Sequence, residues 1–524
     1  EKKCDSIFFE SKLSAARKNA NSIFSSLMLS AASEKMRQQL FSSLRTRRRG
    51  KMHHRNIRQA GKTYVPNQFQ QAIHIHFIGI GGISMSGLAE ILLKEGFSIS
   101  GSDSRKSALT EHLESLGARI SYPQKAGNIT PDIDLVVYTA AIHPENPEFA
   151  EAKSRQLPML TRAQLLGQIM ANYRRSIAIA GTHGKTTTTS MMSQVLLAGS
   201  EDPTISVGGI LDVIGSNIHV GTSDLFITEA CEYTNSYLEF FPKYSVILNV
   251  EAEHLDFFKD LADVRASFRR FASNTAEDGA LIINGEIPDY REITADTKAS
   301  VITFGFSSAC DYYPADISYD AKGCATFTPM HGATALPQIR LQVPGRHNVG
   351  NALAVIALCR AMDIPWEQTV AGLDAFDGAD RRFQFKGHFQ EAVVIDDYAH
   401  HPTEIAASLA AAQNCAHERI ICVFQPHTYT RTKAFLKDFA RALSAADIVV
   451  LADIYAAREE DIYHISSRDL LRELKLLGTE CYYFPSFGEI EAFLQKKCMH
   501  GDLLITMGAG DVGKIGEDLL ARSL

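Results

Sequence analysis

A short run of glycine, lysine and threonine, Gly181-Thr182-His183-Gly184-Lys185-Thr186-Thr187, carries the clearest chemistry in the sequence. It follows the apolar run 176–180 and precedes a stretch with apolar residues at helical spacing. In such a strand–loop–helix unit, backbone N–H groups surround phosphate oxygens, the lysine neutralises them, and the next hydroxyl binds Mg²⁺. The loop is shorter than G-x-x-x-x-G-K-T, because Ile179 stands where the first glycine belongs. The run predicts a site for a nucleoside triphosphate.

Acidic side chains and a histidine follow the next two apolar runs, 224–228 and 244–250, which are predicted to be strands. These polar residues are Glu229, Glu232, Glu251, Glu253 and His254. Because the carboxyl ends of parallel strands meet at one edge of a sheet, we expect the set to converge with the glycine-rich run. Mg²⁺ prefers oxygen ligands, so Glu229 suits it and His254 is a less usual ligand. The structural alternatives are a surface or helix-capping carboxylate for Glu229 and a capping or core histidine for His254.

A second glycine-rich turn follows the β-branched and aromatic run 73–78. It reads Gly79-Ile80-Gly81-Gly82-Ile83-Ser84, precedes a helical pattern, and leads through the predicted strand 97–100 to Ser102 and Asp103. A βαβ unit of this kind places a phosphate at the helix N-terminus and a carboxylate near a ribose hydroxyl. The G-x-G-x-x-G pattern is imperfect, because a serine stands where the third glycine belongs. Both a bound nucleotide and a tight turn without a ligand fit this pattern.

Four more apolar runs after residue 380 each lead into a polar or glycine-rich loop: 392–395, 420–424, 448–451 and 503–506. This is again the pattern of a doubly wound sheet, with functional residues on loops at the strand ends. The adjacent His400 and His401 suggest zinc, yet zinc-binding pairs on a helix usually stand four residues apart, and no third ligand is suitably spaced. We prefer substrate contact or local hydrogen bonding for these histidines.

The whole chain has 524 residues, 45% of them hydrophobic and 22% charged, which excludes collagen-like and wholly disordered proteins. The length suggests about three or four domains, and the alternation of strands with helices predicts an α/β fold. No apolar run reaches the ~18 residues that span a bilayer. Residues 71–524 hold 38 basic and 56 acidic side chains, so the body does not indicate nucleic-acid binding. Nine cysteines without a CxxC pair fit a reducing cytosol.

Residues 1–72 differ from the rest of the chain. Residues 1–70 hold 15 Lys and Arg against 4 Asp and Glu, and the short apolar stretch 23–29 contains serines. A secretory signal needs a clear apolar stretch and a small-residue cleavage site, and neither is convincing here. The composition also resembles an organellar transit peptide or a nucleic-acid patch. We interpret the segment as a basic, disordered extension, or as translated sequence upstream of the true start.

From residue 73 to the end, the sequence resembles the Mur ligase family. The matching signatures, in family order, are HFIGIGGISMSGLAE, GTHGKTTTT, EACEYTNSYL, NVEAEHLDFF, GRHNVGNALA, DRRFQ, DDYAHHPTE, FQPHTYTRT and TMGAGD. The resemblance implies three α/β domains. They are a Rossmann-like domain at 73–172 for the UDP part of a substrate, a central P-loop ATPase-type domain at 173–378 for ATP, and a Rossmann-like C-terminal domain at 379–524 for an amino acid.

The resemblance also implies an ATP-dependent ligation in cytoplasmic peptidoglycan precursor synthesis. The lactyl carboxylate of UDP-N-acetylmuramate attacks the γ-phosphate of ATP, and the amine of L-alanine then attacks the resulting acyl phosphate. The products are UDP-N-acetylmuramoyl-L-alanine, ADP and phosphate. Because the first step joins two anions, Lys185 and Mg²⁺ are expected to supply the stabilising positive charge. No nucleic acid and no membrane partner is expected, and the protein is expected to be a monomer or a homodimer.

Residue roles follow from the match to the family motifs. The expected metal ligands are Thr186, Glu229 and His254. The groups expected to act in catalysis are Lys185, Glu229, His254, Arg382 and His400. ATP is expected to contact residues 181–187, Asn348, Asn351, Arg382 and Asp397. The UDP-sugar and the alanine are expected to contact Gly81, Gly82, Ser84, Ser102, Asp103, Glu232, Tyr398, His400 and Arg431.

Two departures from the family pattern affect this site. The family often reads E-A-D-E-S-D where this chain has Glu229-Ala230-Cys231-Glu232-Tyr233-Thr234. It also often has an arginine where Thr428 stands, so pairing of the alanine carboxylate falls to Arg431.

Three other functions stay open at this point. The nearest is the sister ligase that attaches a recycled tripeptide to UDP-N-acetylmuramate. An NAD-dependent oxidoreductase would rest on the glycine turn at 79–84 alone and leave the P-loop at 181–187 unexplained. A non-catalytic NTP-binding regulator would use the P-loop without the ligation.

Overall fold

The computed structural model describes residues 74–139, 141–255, 257–457 and 459–522. The basic segment 1–72, predicted to be a disordered extension, lies outside the described residues. Within the described ranges, three separate sheets confirm the predicted arrangement of three α/β units. No helix in this part of the chain is long and apolar enough to cross a membrane.

The first unit is a five-stranded parallel sheet with the strand order β3-β2-β1-β4-β5. The central strand is buried along its whole length, including its two histidines, His74 and His76. Its alternate side chains enter different clusters, since Ile75 and Phe77 pack with the first helix while Ile78 packs on the opposite face. The elements described here are β1 (His74–Ile78), α1 (Ile83–Lys94), β2 (Ser98–Ser102), α2 (Ala108–Ser115), β3 (Arg119–Ser121), β4 (Leu135–Tyr138), α3 (Pro147–Ser154), β5 (Met159–Thr161) and α4 (Arg162–Met170).

The central unit is an eleven-stranded sheet whose parallel part carries the order β12-β11-β10-β6-β9-β7. Antiparallel strands extend it at both edges, with β8 beside β7 and with β13, β14, β15 and β16 beyond β12. Its elements are β6 (Arg175–Ala180), α5 (Lys185–Leu197), β7 (Thr204–Leu211), β8 (Ser216–His219), β9 (Leu225–Ala230), β10 (Tyr244–Ile247), α6 (Leu261–Ser273), β11 (Ala280–Asn284), α7 (Tyr290–Thr294), β12 (Ser300–Phe304), β13 (Tyr312–Tyr319), β14 (Cys324–His331), β15 (Thr334–Ala335), β16 (Ile339–Pro344), α8 (Arg346–Ala361) and α9 (Trp366–Asp374).

Helix α8 is the most deeply buried helix of the central unit. It contacts the sheet on one side and helices α5 and α9 on the other, so apolar residues surround most of its axis. The polar exceptions are Asn348 and Asn351 near its N-terminus, and both are buried. Two amides held inside an apolar helix predict a polar contact at that end.

The C-terminal unit is a six-stranded sheet with the order β17-β18-β22-β19-β20-β21. The first pair is antiparallel and the remaining pairs are parallel. Its elements are β17 (Gln384–Phe389), β18 (Ala392–Asp397), α10 (Pro402–Gln413), β19 (Arg419–Phe424), α11 (Tyr429–Ala434), α12 (Leu436–Leu443), β20 (Ile448–Leu451), α13 (Ser467–Leu476), β21 (Glu480–Tyr483), α14 (Phe487–Lys497), β22 (Asp502–Met507) and α15 (Gly513–Ala521).

The strand boundaries differ from the sequence-based predictions where polar residues end a strand. Glu229 lies inside β9, and Asp396 and Asp397 are the last residues of β18, although each was predicted to follow its strand. The prediction used apolar character to end a strand, whereas backbone pairing continues through residues whose side chains face the site. Individual strands were also missed: β3–β5, β7, β8, β11–β17 and β21 were not predicted. Of these, β17 and β21 lie at the sheet edges and carry polar residues.

The first and central units meet where helix α4 packs on the short 3-10 segment Tyr233–Glu239. At the contact, a Cβ atom on Gly167 would stand only 2.1 Å from the backbone oxygen of Glu239. A backbone oxygen cannot move aside as a flexible side chain can. Glycine at position 167 is therefore required by this close approach.

We predict that Gly167→Ala lowers the thermal melting temperature, because overpacking a tight contact costs about 1–3 kcal/mol. The matched control is Gly488→Ala in helix α14, where a Cβ meets no atom within 4 Å. That control gains helix propensity of up to about 1 kcal/mol and is expected to keep or raise the melting temperature. A Gly167→Ala protein as stable as the wild type in thermal denaturation would contradict the close approach.

Candidate active site between the central and C-terminal domains

The glycine-rich run forms the predicted strand–loop–helix unit between β6 and α5. Gly184 caps the helix with a φ of +81°, a conformation that side-chain-bearing residues rarely adopt. Lys185 is the first helical residue, and its Nζ donates to the backbone oxygens of Gly181 and Thr182, at 2.5 and 3.0 Å. The loop therefore curls around the lysine ammonium and leaves the helix N-terminus facing the same space, which suits a phosphate.

The Lys185 ammonium is paired with a buried carboxylate from the neighbouring strand end. Its Nζ donates to Glu232 Oε2 at 3.0 Å, and Glu232 is only 1% exposed. Burial alone would lower the pKa of Lys185, but the Glu232 carboxylate beside it raises the pKa above the ordinary lysine value. The lysine thus stays charged, as a group that neutralises phosphate must.

The predicted metal ligands converge at the carboxyl ends of β6, β9 and β10. Register pairs Ile179 with Glu229 across β6 and β9, which brings Glu229 to the edge where the P-loop begins. Glu229 Oε1 accepts from the backbone N–H of Gly208 at 2.6 Å. His254 Nε2 lies 3.6 Å from Glu232 Oε1, a buried oxygen that has no hydrogen-bond partner among the described residues. An oxygen-rich set with one unused carboxylate oxygen fits a hard divalent cation.

A second cluster joins the P-loop to the C-terminal unit. His183 Nδ1 lies 3.1 Å from Glu404 Oε1, and its Nε2 lies 3.4 Å from Glu251 Oε2. Thr403 Oγ1 also donates to Glu251, at 2.7 Å. Burial would lower the pKa of His183, but the two carboxylates outweigh it and raise that pKa to about 9. A charged imidazole is therefore held between carboxylates of both domains.

The residues His183, Glu251 and His401 offer ligand atoms that all lie within 4.8 Å of one another, as a metal site would require. Sequence spacing alone did not indicate a third ligand for the adjacent histidines, because Glu251 and His183 come from another domain. A proton on His183 competes with a metal ion, since only neutral imidazole is a ligand. We therefore interpret this cluster as an ionic contact between domains.

A cleft between the central and C-terminal units contains many of the residues assigned to ATP. The members of the predicted set that line it are His183, Gly184, Thr187, Asn348, Asn351, Arg382 and Asp397. Within it, Asn348 Nδ2 donates to the Pro344 oxygen at 2.7 Å, and Asn351 Nδ2 donates to Asn348 Oδ1 at 3.0 Å. The buried amides of α8 are thus fixed at the cleft wall beside the P-loop.

Asp397 and Arg382 face this cleft from the C-terminal side. Burial raises the pKa of Asp397 to about 6, although its Oδ1 accepts from the Ala399 N–H at 3.0 Å and Ser408 donates to its Oδ2. The Arg382 guanidinium lies 5.0 Å from the centre of the Tyr398 ring, within cation–π range. Asp397 and Arg382 belong to the C-terminal domain, so they can contact a ligand bound at the P-loop only across the cleft.

Arg431 lies at the start of α11 and is held by a carboxylate of the central unit. Its Nη2 and Nε donate to Glu253 Oε1, at 2.7 and 3.2 Å, and its Nη1 lies 2.9 Å from His427 Nδ1. Burial would raise the pKa of Glu253, but Arg431 outweighs it and lowers that pKa to about 2. Thr428, where the family often has arginine, caps α11 by accepting from the Arg431 N–H at 3.5 Å.

Two predicted substrate residues, Tyr398 and His400, are linked to Arg431 through the ring of His427, which contacts the arginine. The His400 ring is centred 5.3 Å from the Tyr398 ring and 5.8 Å from the His427 ring. Burial lowers the pKa of His400, and it lowers the pKa of His427 to about 4. The imidazole that contacts Arg431 is therefore neutral, as is that of His400, so the positive charge of this group lies on the guanidinium and can be directed at an anion.

The glycine turn of the first unit forms its own cluster. The Gly81 N–H donates to Asp103 Oδ2 at 2.8 Å, so the turn and the end of β2 are joined. Gly82 and Ser84 are exposed, whereas Ser102 is buried and its hydroxyl donates to Glu148. The exposed part of the turn is the part that a ligand can reach, and Asp103 fixes its shape.

The sequence alone predicts no role for four residues of this site, which are Glu251, Glu253, Glu404 and His427. Glu251 and Glu253 were noted after β10, but their partners come from a different domain and cannot be read from local spacing. Glu404 had a local signal, because it stands three residues after His401 and forms a capping box with the backbone at the start of α10. The second function of Glu404, as partner of His183, depends on domain packing.

Family models match along most of the described chain, in the order of the three units. The model of the Mur ligase family, catalytic domain, matches residues 74–174. The Mur ligase middle domain matches residues 179–359. The Mur ligase, glutamate ligase domain, matches residues 381–510.

Curated relatives and solved structures agree with these models. The UDP-N-acetylmuramate–L-alanine ligase of Agathobacter rectalis is 63% identical over 454 residues, which cover 87% of this chain and 99% of the relative. The enzyme of the same name from Lachnospira eligens is 59% identical over 86% of this chain and 99% of the relative. The crystal structure of UDP-N-acetylmuramate-alanine ligase MurC from Thermotoga maritima matches 86% of this chain and 99% of its own, with a TM-score of 0.71 and 30% identity. A murein peptide ligase from Psychrobacter arcticus, with a TM-score of 0.62 and 22% identity over 86% of this chain and 98% of its own, shares the fold.

The His183 cluster predicts a specific dependence of stability on pH. His183 binds its proton more tightly in the folded chain, with a pKa of about 9, than at the ordinary value of 6.5. Its stabilising contribution is therefore fully present below about pH 6.5 and is lost as the pH rises through about 9. We expect the melting-temperature difference between the wild type and His183→Gln to shrink over that interval in thermal denaturation. A difference that stays constant there would contradict the paired, protonated imidazole.

Proposed function

This chain belongs to the Mur ligase family, and on that premise we propose that it joins L-alanine to UDP-N-acetylmuramate at the expense of ATP. The lactyl carboxylate of the sugar nucleotide takes the γ-phosphoryl group of ATP and becomes an acyl phosphate. The amine of L-alanine, in its neutral form, then attacks the acyl carbon, phosphate leaves, and the nitrogen gives up one proton as the amide forms. The product is a precursor of peptidoglycan. The cytoplasmic location and the oligomeric state of the protein stay predictions.

One observation favours this function over an NAD-dependent oxidoreductase and a non-catalytic NTP-binding regulator. A P-loop lysine, a set of carboxylates and an arginine with neighbouring histidines all face the contact between the central and C-terminal domains. Phosphoryl transfer needs the first two groups, and capture of an amino acid needs the third. Relatives that are up to 63% identical and carry the name UDP-N-acetylmuramate–L-alanine ligase support the same reaction.

The first step asks the protein to bring two anions together. Lys185 is suited to the β- and γ-phosphate oxygens, because its ammonium stands at the N-terminus of α5 and is already desolvated. The Arg382 guanidinium approaches from the C-terminal domain and would add positive charge only when the two domains are together. Asn348 and Asn351 line the same cleft and are suited to hydrogen bonds with the adenine.

The donor set beside the P-loop fits Mg²⁺. Glu229, His254 and the Thr186 hydroxyl would hold the ion, and the partnerless Glu232 oxygen beside His254 supports a cation there. When bound, Mg²⁺ neutralises the phosphate oxygens as the phosphoryl group moves. Glu232 also keeps Lys185 charged, so that its role in this step is to hold the ammonium in place.

The second step uses the C-terminal domain. Tyr398, His400 and Arg431 surround the place from which an amine can approach the acyl phosphate. Arg431 is the group suited to a carboxylate, because its planar guanidinium makes paired hydrogen bonds. At the other end, the exposed glycine turn of the first unit, with Gly81, Gly82 and Asp103, is proposed to hold the uridine diphosphate.

Replacement of Lys185 tests the proposed phosphoryl transfer. Lys185→Met is expected to lower alanine-dependent phosphate release by about 100-fold or more, because it removes the charge aimed at the transferring group. Lys185→Met leaves the buried Glu232 carboxylate without its partner. The double variant Lys185→Met/Glu232→Gln removes that unpaired charge, and it therefore tests whether activity is lost when the lysine is absent and no carboxylate is left unpaired. Lys243→Met, at an exposed pair with Asp278, is the matched control and should keep full activity. Full activity of the double variant would contradict the role of Lys185.

Choice of amine separates this enzyme from the tripeptide ligase. With UDP-N-acetylmuramate and ATP present, we expect L-alanine to drive ADP formation and the tripeptide L-alanyl-γ-D-glutamyl-meso-diaminopimelate to be at least ~100-fold less effective. Mass analysis of the products identifies which amine was joined. Turnover with the tripeptide and none with alanine would make the chain the recycling enzyme.

A further inference from the structure

The ion pair between Arg431 and Glu253 crosses from the C-terminal domain to the central domain. Arg431 belongs to α11, and Glu253 lies on the loop that follows β10. Both hydrogen bonds from the guanidinium end on one carboxylate oxygen, Glu253 Oε1, at 2.7 and 3.2 Å. Each side chain is about nine-tenths buried, at 12% and 9% exposure. The proposed carboxylate receptor for alanine therefore already holds a carboxylate of the protein.

The other oxygen of Glu253 has no hydrogen-bond partner among the described residues, although it is buried. The nearest titratable nitrogen, His401 Nε2, lies 3.7 Å away, which is too far for a hydrogen bond, and it too lacks a partner in the described part of the chain. A buried carboxylate oxygen without a hydrogen-bond donor destabilises the protein, and a ligand that donates to it removes that penalty. Glu253 Oε2 therefore points to a donor that comes from outside the protein.

An α-amino acid carries the two charges that match this pair. Its carboxylate suits the guanidinium, and its ammonium, two bonds away from the carboxylate carbon, suits a neighbouring carboxylate. Glu253 and Arg431 offer these complementary charges side by side, in a site enclosed by both domains. No other carboxylate bonds to Arg431 among the described residues.

We propose that Glu253 is the ammonium subsite for the amino-acid substrate, and that it also occupies Arg431 until that substrate arrives. This inference rests on the proposed function. When L-alanine enters, its carboxylate replaces Glu253 on Arg431, and its ammonium pairs with the released Glu253 carboxylate. One ion pair becomes two, so neither buried charge is left alone during the exchange.

Because of this exchange, binding of the amino acid requires both domains. The carboxylate half of the subsite belongs to the C-terminal domain and the ammonium half to the central domain. A molecule with only one of the two charges can form only one of the two new pairs and leaves the other buried group without a partner. The subsite therefore selects molecules that carry both a positive and a negative charge, as well as molecules of suitable size.

Glu253→Gln tests the subsite with little change in shape. We expect its KM for L-alanine to rise by about 10- to 100-fold, as is usual when one partner of a buried charged pair is neutralised. The KM values for ATP and UDP-N-acetylmuramate and the Mg²⁺ dependence should stay within about 3-fold of the wild type. Glu292→Gln, at the edge of an exposed pair with Arg265, is the matched control and should leave all of these values unchanged.

Two single-charge probes separate the subsite from a general loss of structure. In the wild type, isopropylamine and propionate are both expected to inhibit alanine incorporation weakly. In Glu253→Gln, inhibition by isopropylamine should be lost, whereas inhibition by propionate should be kept or strengthened, because Glu253 no longer competes for Arg431. A structural defect would weaken both probes.

The outcomes that overturn this inference are distinct from failure of the proposed function. If the wild type shows no alanine-dependent turnover, the proposed function is wrong. If the wild type turns over and Glu253→Gln keeps its KM for alanine, the ammonium subsite is wrong. A variant that raises the KM for all three substrates, or loses inhibition by propionate as well, also overturns it by showing that Glu253 only holds the domains together.

Discussion

Charge buried between two domains must be neutralised by those domains or by what they bind, and this constraint organises the molecule. The central domain presents Lys185, Glu251 and Glu253 at the carboxyl ends of its parallel strands, while the C-terminal domain presents Glu404 and Arg431. Lys185 is paired with Glu232 of its own domain, whereas Glu404 and Arg431 are paired with groups across the contact, and this pairing is what makes burial of the charges tolerable. The same pairs place Lys185, proposed to bind phosphate, and Arg431, proposed to bind the amino acid, at the contact between the domains, where electrostatic interactions are stronger than in water.

The fold supplies this arrangement from simple parts. Parallel strands end at a common edge, so residues as distant in sequence as Lys185, Glu229 and His254 need only follow neighbouring strands in order to meet. Gly184 supplies the positive φ that starts α5 at the lysine, and the buried amides of α8 fix the opposite wall of the cleft. Apolar packing within each sheet holds the loops that carry the chemistry.

The sequence predicted the three α/β units, the P-loop and the convergence of Glu229 and His254, because these depend on local pattern and on a general rule for parallel sheets. The pairings of His183 with Glu404 and of Arg431 with Glu253 could not be predicted, since each joins residues from different domains. The capping box at His401 had a local signal, but the pattern says nothing about the partner that Glu404 finds across the cleft. The assignments of individual contacts to UDP, ATP and alanine stay predictions, because they concern ligands and not the chain alone.

Activation of the sugar carboxylate by a phosphoryl group, before the amine attacks, can be followed with an oxygen isotope. UDP-N-acetylmuramate labelled with ¹⁸O in both oxygens of its lactyl carboxylate is converted with unlabelled ATP and L-alanine, and the released phosphate is analysed by mass spectrometry. If an acyl phosphate forms, we expect one ¹⁸O atom in each phosphate released and one in the new amide. Phosphate without the label would show that the carboxylate oxygen never bonded to phosphorus, and that no acyl phosphate forms.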